Sequence, residues 1–178
     1  MDAFTEQLIT KKKAGKEWAM LALAALLAVV VLAVSVLLFL LLPTFPFLAF
    51  GVLIGGGYGV FMLYVHQNVE FEYIVTNGDI DVDRIVGRRT RKRIVSVAGR
   101  KIETFEPYKA EAVAARHYDR VVMAASSETA NGLWIFSYRS KKNGHTVVIF
   151  EPNDKVKQEL LSGLSRPLAL EIKQKYAL

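Results

Sequence analysis

The chain has 178 residues, a formal net charge of +6 and no cysteine. The lack of cysteine excludes disulfide bonds and thiolate metal sites. Asp, Glu, Lys and Arg are absent from the 52 residues between Trp18 and Val69. A soluble domain needs charged, solvated faces on its elements, whereas a bilayer requires uncharged spanning segments, so this stretch is predicted to lie in a membrane.

The uncharged stretch divides into two predicted transmembrane helices, at about residues 18–42 and 47–65. Each is close to the roughly 20 apolar residues that cross the hydrocarbon core. The first run is longer than the apolar region of a signal peptide, and no small-residue cleavage motif follows it. Pro43 and Pro46 predict a tight turn between the helices, so residues 18–66 are predicted to form a transmembrane hairpin.

Flanking charge predicts the orientation of this hairpin. Four lysines precede the first span: Lys11, Lys12, Lys13 and Lys16. The turn between the spans carries no charge, and basic residues are dense again after the second span. The positive-inside rule therefore predicts that both termini are cytoplasmic. Residues 1–17 would form a cytoplasmic N-terminal segment and residues 69–178 a cytoplasmic domain of a cell-membrane protein.

Small residues recur on one face of each predicted span. Gly51, Gly55 and Gly59 lie four residues apart on the second span, and Ala24 with Ala28 forms a similar pair on the first. This spacing lets helix backbones approach closely. The contact could be within the hairpin, between two copies of the chain, or with another membrane protein.

The cytoplasmic domain begins with a predicted β-hairpin. Phe71, Tyr73 and Val75 alternate with polar residues, and Asn77-Gly78 follows, a pair that favours a two-residue turn because both positions need positive φ. That turn pairs two sets of apolar side chains on one face: Val75 with Ile80, and Tyr73 with Val82.

A second hairpin tests this register. With Arg88-Arg89 at its tip, Val82 pairs with Val95 and Ile80 with Val97, so the same face stays apolar across three strands. A one-residue slip would mix the faces. The sequence therefore predicts an antiparallel meander over residues 69–98.

The rest of the chain predicts more strands and a helical end. Strands are expected at about 120–126, 132–139 and 145–151. Residues 101–108 fit a short helix or a strand, and residues 108–117 fit a loop or a short helix. Asn153 or Asp154 can cap a helix whose apolar residues recur with a period of 3.6. The predicted class is α+β: a membrane hairpin, then six or seven mainly antiparallel strands and a C-terminal helix.

This order resembles the bacterial pleckstrin-homology-like (PH-like) domains. Three segments carry a closer resemblance, to a family of small two-span membrane proteins from clostridial Gram-positive bacteria: Met1-Asp2-Ala3-Phe4-Thr5-Glu6-Gln7, Phe71 through Asp83, and Phe150-Glu151-Pro152-Asn153. The resemblance implies a bent barrel or sandwich capped by a helix, at a membrane. PH-like domains bind lipids or proteins, and the resemblance transfers no catalytic residue or cofactor.

The candidate functional residues form a basic cluster. Residues 84–101 hold eight basic and no acidic residues. Five of them, which we call the basic cluster, lie at the predicted hairpin tip: Arg88, Arg89, Arg91, Lys92 and Arg93. Near an anionic leaflet each would gain about 1 kcal/mol from lipid headgroups. The alternatives are a solvated tip that only reinforces topology, a protein partner, or nucleic acid. The tip has no aromatic residues for base stacking, which argues against nucleic acid.

Other motifs argue against an enzyme. Glu70, Glu72, Asp81 and Asp83 share a predicted strand face, where they could hold a hard cation, be solvated, or pair with basic residues. Histidines show no ligand spacing, and no nucleophile motif or phosphate-binding loop is present in the sequence. We therefore expect a non-catalytic interaction or scaffold module, without metal or cofactor. The alternative is an accessory or sensor subunit that binds a larger membrane complex through its glycine-rich hairpin.

Overall fold

A computed structural model describes residues 4–176 of the chain. Two compact units divide it: Lys12–Asn68 is the first, and the second joins the chain up to Lys11 with the chain from Val69 onward. We call the second unit the β domain. Residues 1–3, which begin one segment that carries the resemblance, and residues 177–178 lie outside the described part.

The unit inserted into the β domain is a pair of helices, α1 (Gly15–Leu41) and α2 (Pro46–His66), which we call the helical pair. Both helices are long and apolar enough to cross a membrane. The Glu17 carboxylate accepts a hydrogen bond from the Ala14 N–H at 3.1 Å, which caps the start of α1. Pro46 lies in the first turn of α2, where a missing N–H is tolerated.

The first sheet of the β domain has four antiparallel strands in chain order. They are β1 (Phe4–Thr10), β2 (Val69–Thr76), β3 (Asp79–Val86) and β4 (Thr90–Val97). The predicted pairs are confirmed: Val75 with Ile80, Tyr73 with Val82, Val82 with Val95, and Ile80 with Val97. Asn77 and Gly78 form the first turn with φ of 51° and 80°, the positive values that the pattern requires.

Strand β1 differs from the prediction, in which residues 1–17 formed only a cytoplasmic N-terminal segment. It pairs along its whole length with β2, from Phe4 opposite Thr76 to Thr10 opposite Glu70. The Gln7 side chain also donates to the Glu151 carbonyl at 2.9 Å and accepts from the Asn153 N–H at 2.8 Å. The N-terminal residues therefore belong to the β domain.

The second hairpin differs from the prediction at its tip. The register shifts after Val82, so that Asp83 pairs with Arg93 and Ile94 is the extra residue of a β-bulge. The turn then has three residues, Gly87–Arg89, rather than Arg88-Arg89 alone. The bulge packs Ile94 against the core and sets Arg93 opposite a carboxylate, two gains that a regular ladder would lose.

The second sheet has the strand order β5–β7–β8–β6. Its strands are β5 (Ile102–Pro107), β6 (Arg120–Ala124), β7 (Trp134–Ser140) and β8 (Gly144–Phe150). Strand β6 runs parallel to β8, whereas the other strand pairs are antiparallel, so the mainly antiparallel arrangement that was predicted is confirmed. The segment that fitted a helix or a strand is β5, and a short helix, α3 (Ala110–Ala115), follows it.

The two sheets share one core, in which Tyr73 is the main polar link. Tyr73, Phe136 and Phe150 are fully buried, and the Tyr73 and Phe150 rings meet edge to face at 5.4 Å. The Tyr73 hydroxyl donates to the Ala124 carbonyl and accepts from the Glu151 N–H at 3.1 Å. Burial raises the pKa of this hydroxyl, so it stays a neutral donor between the sheets.

Two helices complete the β domain, α4 (Asp154–Gly163) and α5 (Arg166–Tyr176). The Asn153 side chain caps α4 by accepting from the Val156 N–H at 2.9 Å, as predicted. The end of α4 closes on the first sheet at a close approach of glycine backbones. A Cβ at Gly78 would lie 2.2 Å from the Gly163 Cα, and one at Gly99 would lie 2.4 Å from the Gly78 carbonyl oxygen. We call this the closed end.

Candidate functional site

The turn of the basic cluster lies at the opposite end of the first sheet, which we call the open end. The register sets Thr10 beside Glu70, Val69 beside Val86, and Val86 beside Thr90. The Gly87–Arg89 turn is therefore at the sheet end where β1 stops and β2 starts. Those are also the points where the chain leaves the β domain for the helical pair and returns from it.

Three cations of the basic cluster form ion pairs on the outer face of the sheet. Arg88 meets Glu70 at 3.3 Å, Arg91 meets Glu72 at 2.7 Å, and Arg93 meets both Asp83 at 2.9 Å and Asp81 at 2.7 Å. The carboxylates are the four for which a hard cation was one hypothesis, and the structure shows the alternative, pairing with basic residues. Among residues 4–176 no group of three or more His, Asp or Glu side chains is placed to hold a metal ion.

Burial separates the two partners of these pairs. Glu72 and Asp83 are each 3% exposed, whereas the side chains of Arg91 and Arg93 are half exposed. Burial, with the neighbouring Glu6 carboxyl, raises the pKa of Glu72 above its usual 4.5, and Arg91 opposes the rise. Arg91 and Arg93 thus serve first to neutralise buried carboxylates.

Three cations of the cluster, one of them the paired Arg88, are exposed to solvent at or beside the turn. The Arg88 side chain is 85% exposed, and Arg89 and Lys92 are exposed as well. Within residues 4–176, Lys92 takes part in no ion pair. Arg88 holds a left-handed backbone conformation, φ 57°, that a glycine would adopt at lower cost.

Two arginines outside the basic cluster, Arg84 and Arg120, were not predicted to be functional. Both line a groove of about 440 Å³ within the β domain. Arg84 follows Ile80 and Val82 on the core-facing row of β3. Arg84 is itself exposed, and the approach of β6 to it depends on tertiary structure that no local pattern indicates.

The three glycines predicted to pack the two helices lie outside the contact between α1 and α2. A Cβ added at Gly51, Gly55 or Gly59 would meet nothing within 4 Å, whereas one at Gly56 would lie 2.7 Å from the Val31 side chain. Of the two alanines, Ala24 is buried and Ala28 is exposed. Within the helical pair the three glycines therefore form an uncovered face, and a role between proteins stays a prediction.

Comparison with known proteins identifies the family. A family model described as bacterial PH-like domain (DUF6106) matches residues 1–168. The chain belongs to this family. The match includes the helical pair, and it confirms the PH-like fold that the strand pattern implied. No curated protein and no solved structure shows significant similarity to the chain. The clostridial origin stays a prediction.

Proposed function

We propose that the protein is a membrane-anchored PH-like interaction module whose open end contacts anionic lipid headgroups at the cytoplasmic face. The observation that carries the proposal is the position of the basic turn. It lies at the sheet end where the chain passes into the helical pair, so its exposed cations are on the side of the domain that is tethered. Each cation near an anionic surface contributes about 1 kcal/mol.

The proposed orientation rests on flanking charge. Lysines precede α1, and the Pro43–Phe45 turn is uncharged, so both termini are assigned to the cytoplasm. The chain has no cysteine, which makes single-cysteine labelling clean. A cysteine at exposed Thr44 should react with an impermeant maleimide in intact cells, and one at Thr76 should not. The reverse pattern would overturn the orientation.

Headgroup contact is best tested on the full chain, with substitutions that leave the ion pairs of the first sheet intact. A fragment starting at Val69 lacks β1, and reversing Arg91 or Arg93 would set like charges against buried carboxylates. The full chain with Arg89→Glu and Lys92→Glu avoids both problems. The matched control, Arg100→Glu with Lys101→Glu, reverses two exposed charges beside Gly99 at the closed end.

The readout is the lipid that surrounds the protein after extraction with a styrene–maleic acid polymer. We expect the wild type and the closed-end control to retain more anionic lipid than the bulk membrane contains. The Arg89→Glu, Lys92→Glu protein should return to the bulk ratio. Equal enrichment in all three proteins would contradict headgroup contact by the basic turn and would leave topology and solubility as its role.

A second candidate function is an accessory or sensor subunit of a larger membrane complex, or a homo-oligomer, joined through α2. The uncovered face formed by Gly51, Gly55 and Gly59 favours it, since small residues at this spacing permit close helix packing. Gly55→Leu should then abolish co-purification of a partner or a second copy. Gly57→Leu is a suitable control, because a Cβ at Gly57 meets nothing within 4 Å. Gly56→Leu is not, because Gly56 contacts α1.

A further inference from the structure

The groove of about 440 Å³ lies between the core-facing side of the first sheet and strand β6. Its volume is within the range of about 300–1,000 Å³ that is typical of small-molecule sites. All of its lining residues belong to the β domain. Neither the basic turn nor the paired carboxylates form part of it. It is therefore a separate feature of the open end.

Two arginines face this groove from opposite walls. Arg84 shares the core-facing row of β3 with Ile80 and Val82, and Arg120 shares the row of β6 with buried Val122. Within residues 4–176, neither arginine takes part in an ion pair. Arg84 is exposed and Arg120 is partly buried, so both guanidinium groups can be reached by a ligand from solvent.

The rest of the lining is mainly apolar. Val69 and Phe71 are each 6% exposed, and Ile94 and Met123 are partly buried beside them. Glu128 also lines the groove, so one acidic side chain lies near its rim. Two guanidinium groups beside apolar side chains suit a ligand that has a phosphate and an apolar part. Each guanidinium can donate two parallel hydrogen bonds to the oxygens of a phosphate.

We propose that the groove binds one molecule of a phosphate-bearing membrane lipid, with its phosphate between Arg84 and Arg120 and its first methylene groups on Val69, Phe71 and Ile94. The inference rests on the proposed function, and it adds a defined one-to-one site to the diffuse contact made by the basic turn. A lipid, rather than a soluble phosphate ester, is the source because the floor of the groove is apolar.

Chain connectivity supports a lipid source. Lys11 and Val69 both line the groove. Three residues separate Lys11 from Gly15, and two separate Val69 from His66. A chain spans at most about 3.6 Å per residue, so these residues are within about 15 Å of the helix ends whatever the arrangement of the units. A lipid at the membrane surface is within reach of the rim.

Native mass spectrometry of the full chain in an uncharged detergent tests the proposal. The probes are dihexanoyl phosphatidic acid, dihexanoyl phosphatidylcholine and glycerol 3-phosphate. We expect one phosphatidic acid per chain, with at least tenfold weaker binding of glycerol 3-phosphate, which lacks the acyl chains. Arg84→Gln with Arg120→Gln should weaken the phosphatidic acid complex at least tenfold. The control, Arg100→Gln with Arg166→Gln, removes two exposed arginines elsewhere and should bind as the wild type does.

A second variant keeps the test informative if the arginine variant unfolds. Ile94→Trp keeps every charge and fills the floor of the groove, so it should also weaken the complex. Unchanged binding in both variants would overturn the inference, and equal binding of glycerol 3-phosphate would overturn the lipid as the source. Loss of binding in Arg89→Glu, Lys92→Glu alone would support the basic turn and reject the groove. If phosphatidic acid binding is lost only in the groove variants, and anionic lipid is not enriched around the wild-type protein, the groove would be supported and the basic turn rejected.

Discussion

The two ends of the first sheet are built on opposite principles. At the closed end, Gly78, Gly99 and Gly163 bring three backbone segments into contact with no room for a side chain. At the open end, long charged side chains surround a groove and a turn that protrudes into solvent. The domain packs its backbone tightly at one end, and at the other end, where the helical pair is inserted, it exposes charged side chains.

The largest expected effect breaks the closed end. Gly78 and Gly132 have nearly equal φ, 80° and 78°, but only Gly78 faces backbone within 4 Å. Gly132→Ala should lower the free energy of unfolding by about 1–2 kcal/mol, the cost of the left-handed conformation. Gly78→Ala should cost about 1–3 kcal/mol more, because Gly163 must also move. Chemical unfolding in detergent, followed by the fluorescence of buried Trp134, measures both. Equal losses of unfolding free energy in the two variants would show that Gly78 and Gly163 leave room for a Cβ.

A smaller effect separates two kinds of arginine at the open end. Arg91→Ala removes the partner of buried Glu72 and should cost about 1–3 kcal/mol of unfolding free energy. Arg89→Ala, at the exposed turn, should cost about 0.5 kcal/mol or less. The same unfolding assay compares them. A large loss at Arg89 would mean that the turn serves the fold rather than the membrane surface.

The smallest effect concerns pH. Burial raises the pKa of Glu72, so the folded state favours its protonated form relative to the unfolded chain. The stability from this group is present below the usual pKa of 4.5 and is lost as pH rises through the raised value. Relative to Glu72→Gln, the wild type should therefore gain stability as pH falls from 8 towards 5. The difference in unfolding temperature between the two proteins at each pH measures it, and a difference that shrinks on acidification would contradict the assignment.

Local patterns predicted much of the first sheet. Asn77-Gly78 specified one turn, and apolar alternation specified the pairs Val82–Val95 and Ile80–Val97. Strand β1 could not be predicted in the same way, because the helical pair separates it from β2 and its Phe4 and Leu8 side chains are exposed. The bulge at Ile94 could not be predicted either, since it follows from long-range packing and charge pairing rather than from a turn signal.

The candidate site was predicted only in part. The sequence identified the basic cluster, but it did not decide whether Arg91 and Arg93 form ion pairs with the carboxylates of the neighbouring strands. The groove could not be found from sequence because it depends on β6, whose parallel pairing has no local signature. Charge density along the chain therefore showed where cations are concentrated, but not which of them form ion pairs with carboxylates.

The central claim is that the open end, and not the closed end, meets an anionic membrane surface. The most direct test places a single fluorophore-labelled cysteine at Thr90, beside the basic turn, or at Thr76, at the other end of the sheet. The full chain is then reconstituted in nanodiscs with graded anionic lipid and a quencher on the headgroups. Quenching at Thr90 should exceed that at Thr76, rise with the anionic fraction and fall with salt. Equal quenching at the two positions, or stronger quenching at Thr76, would contradict the account.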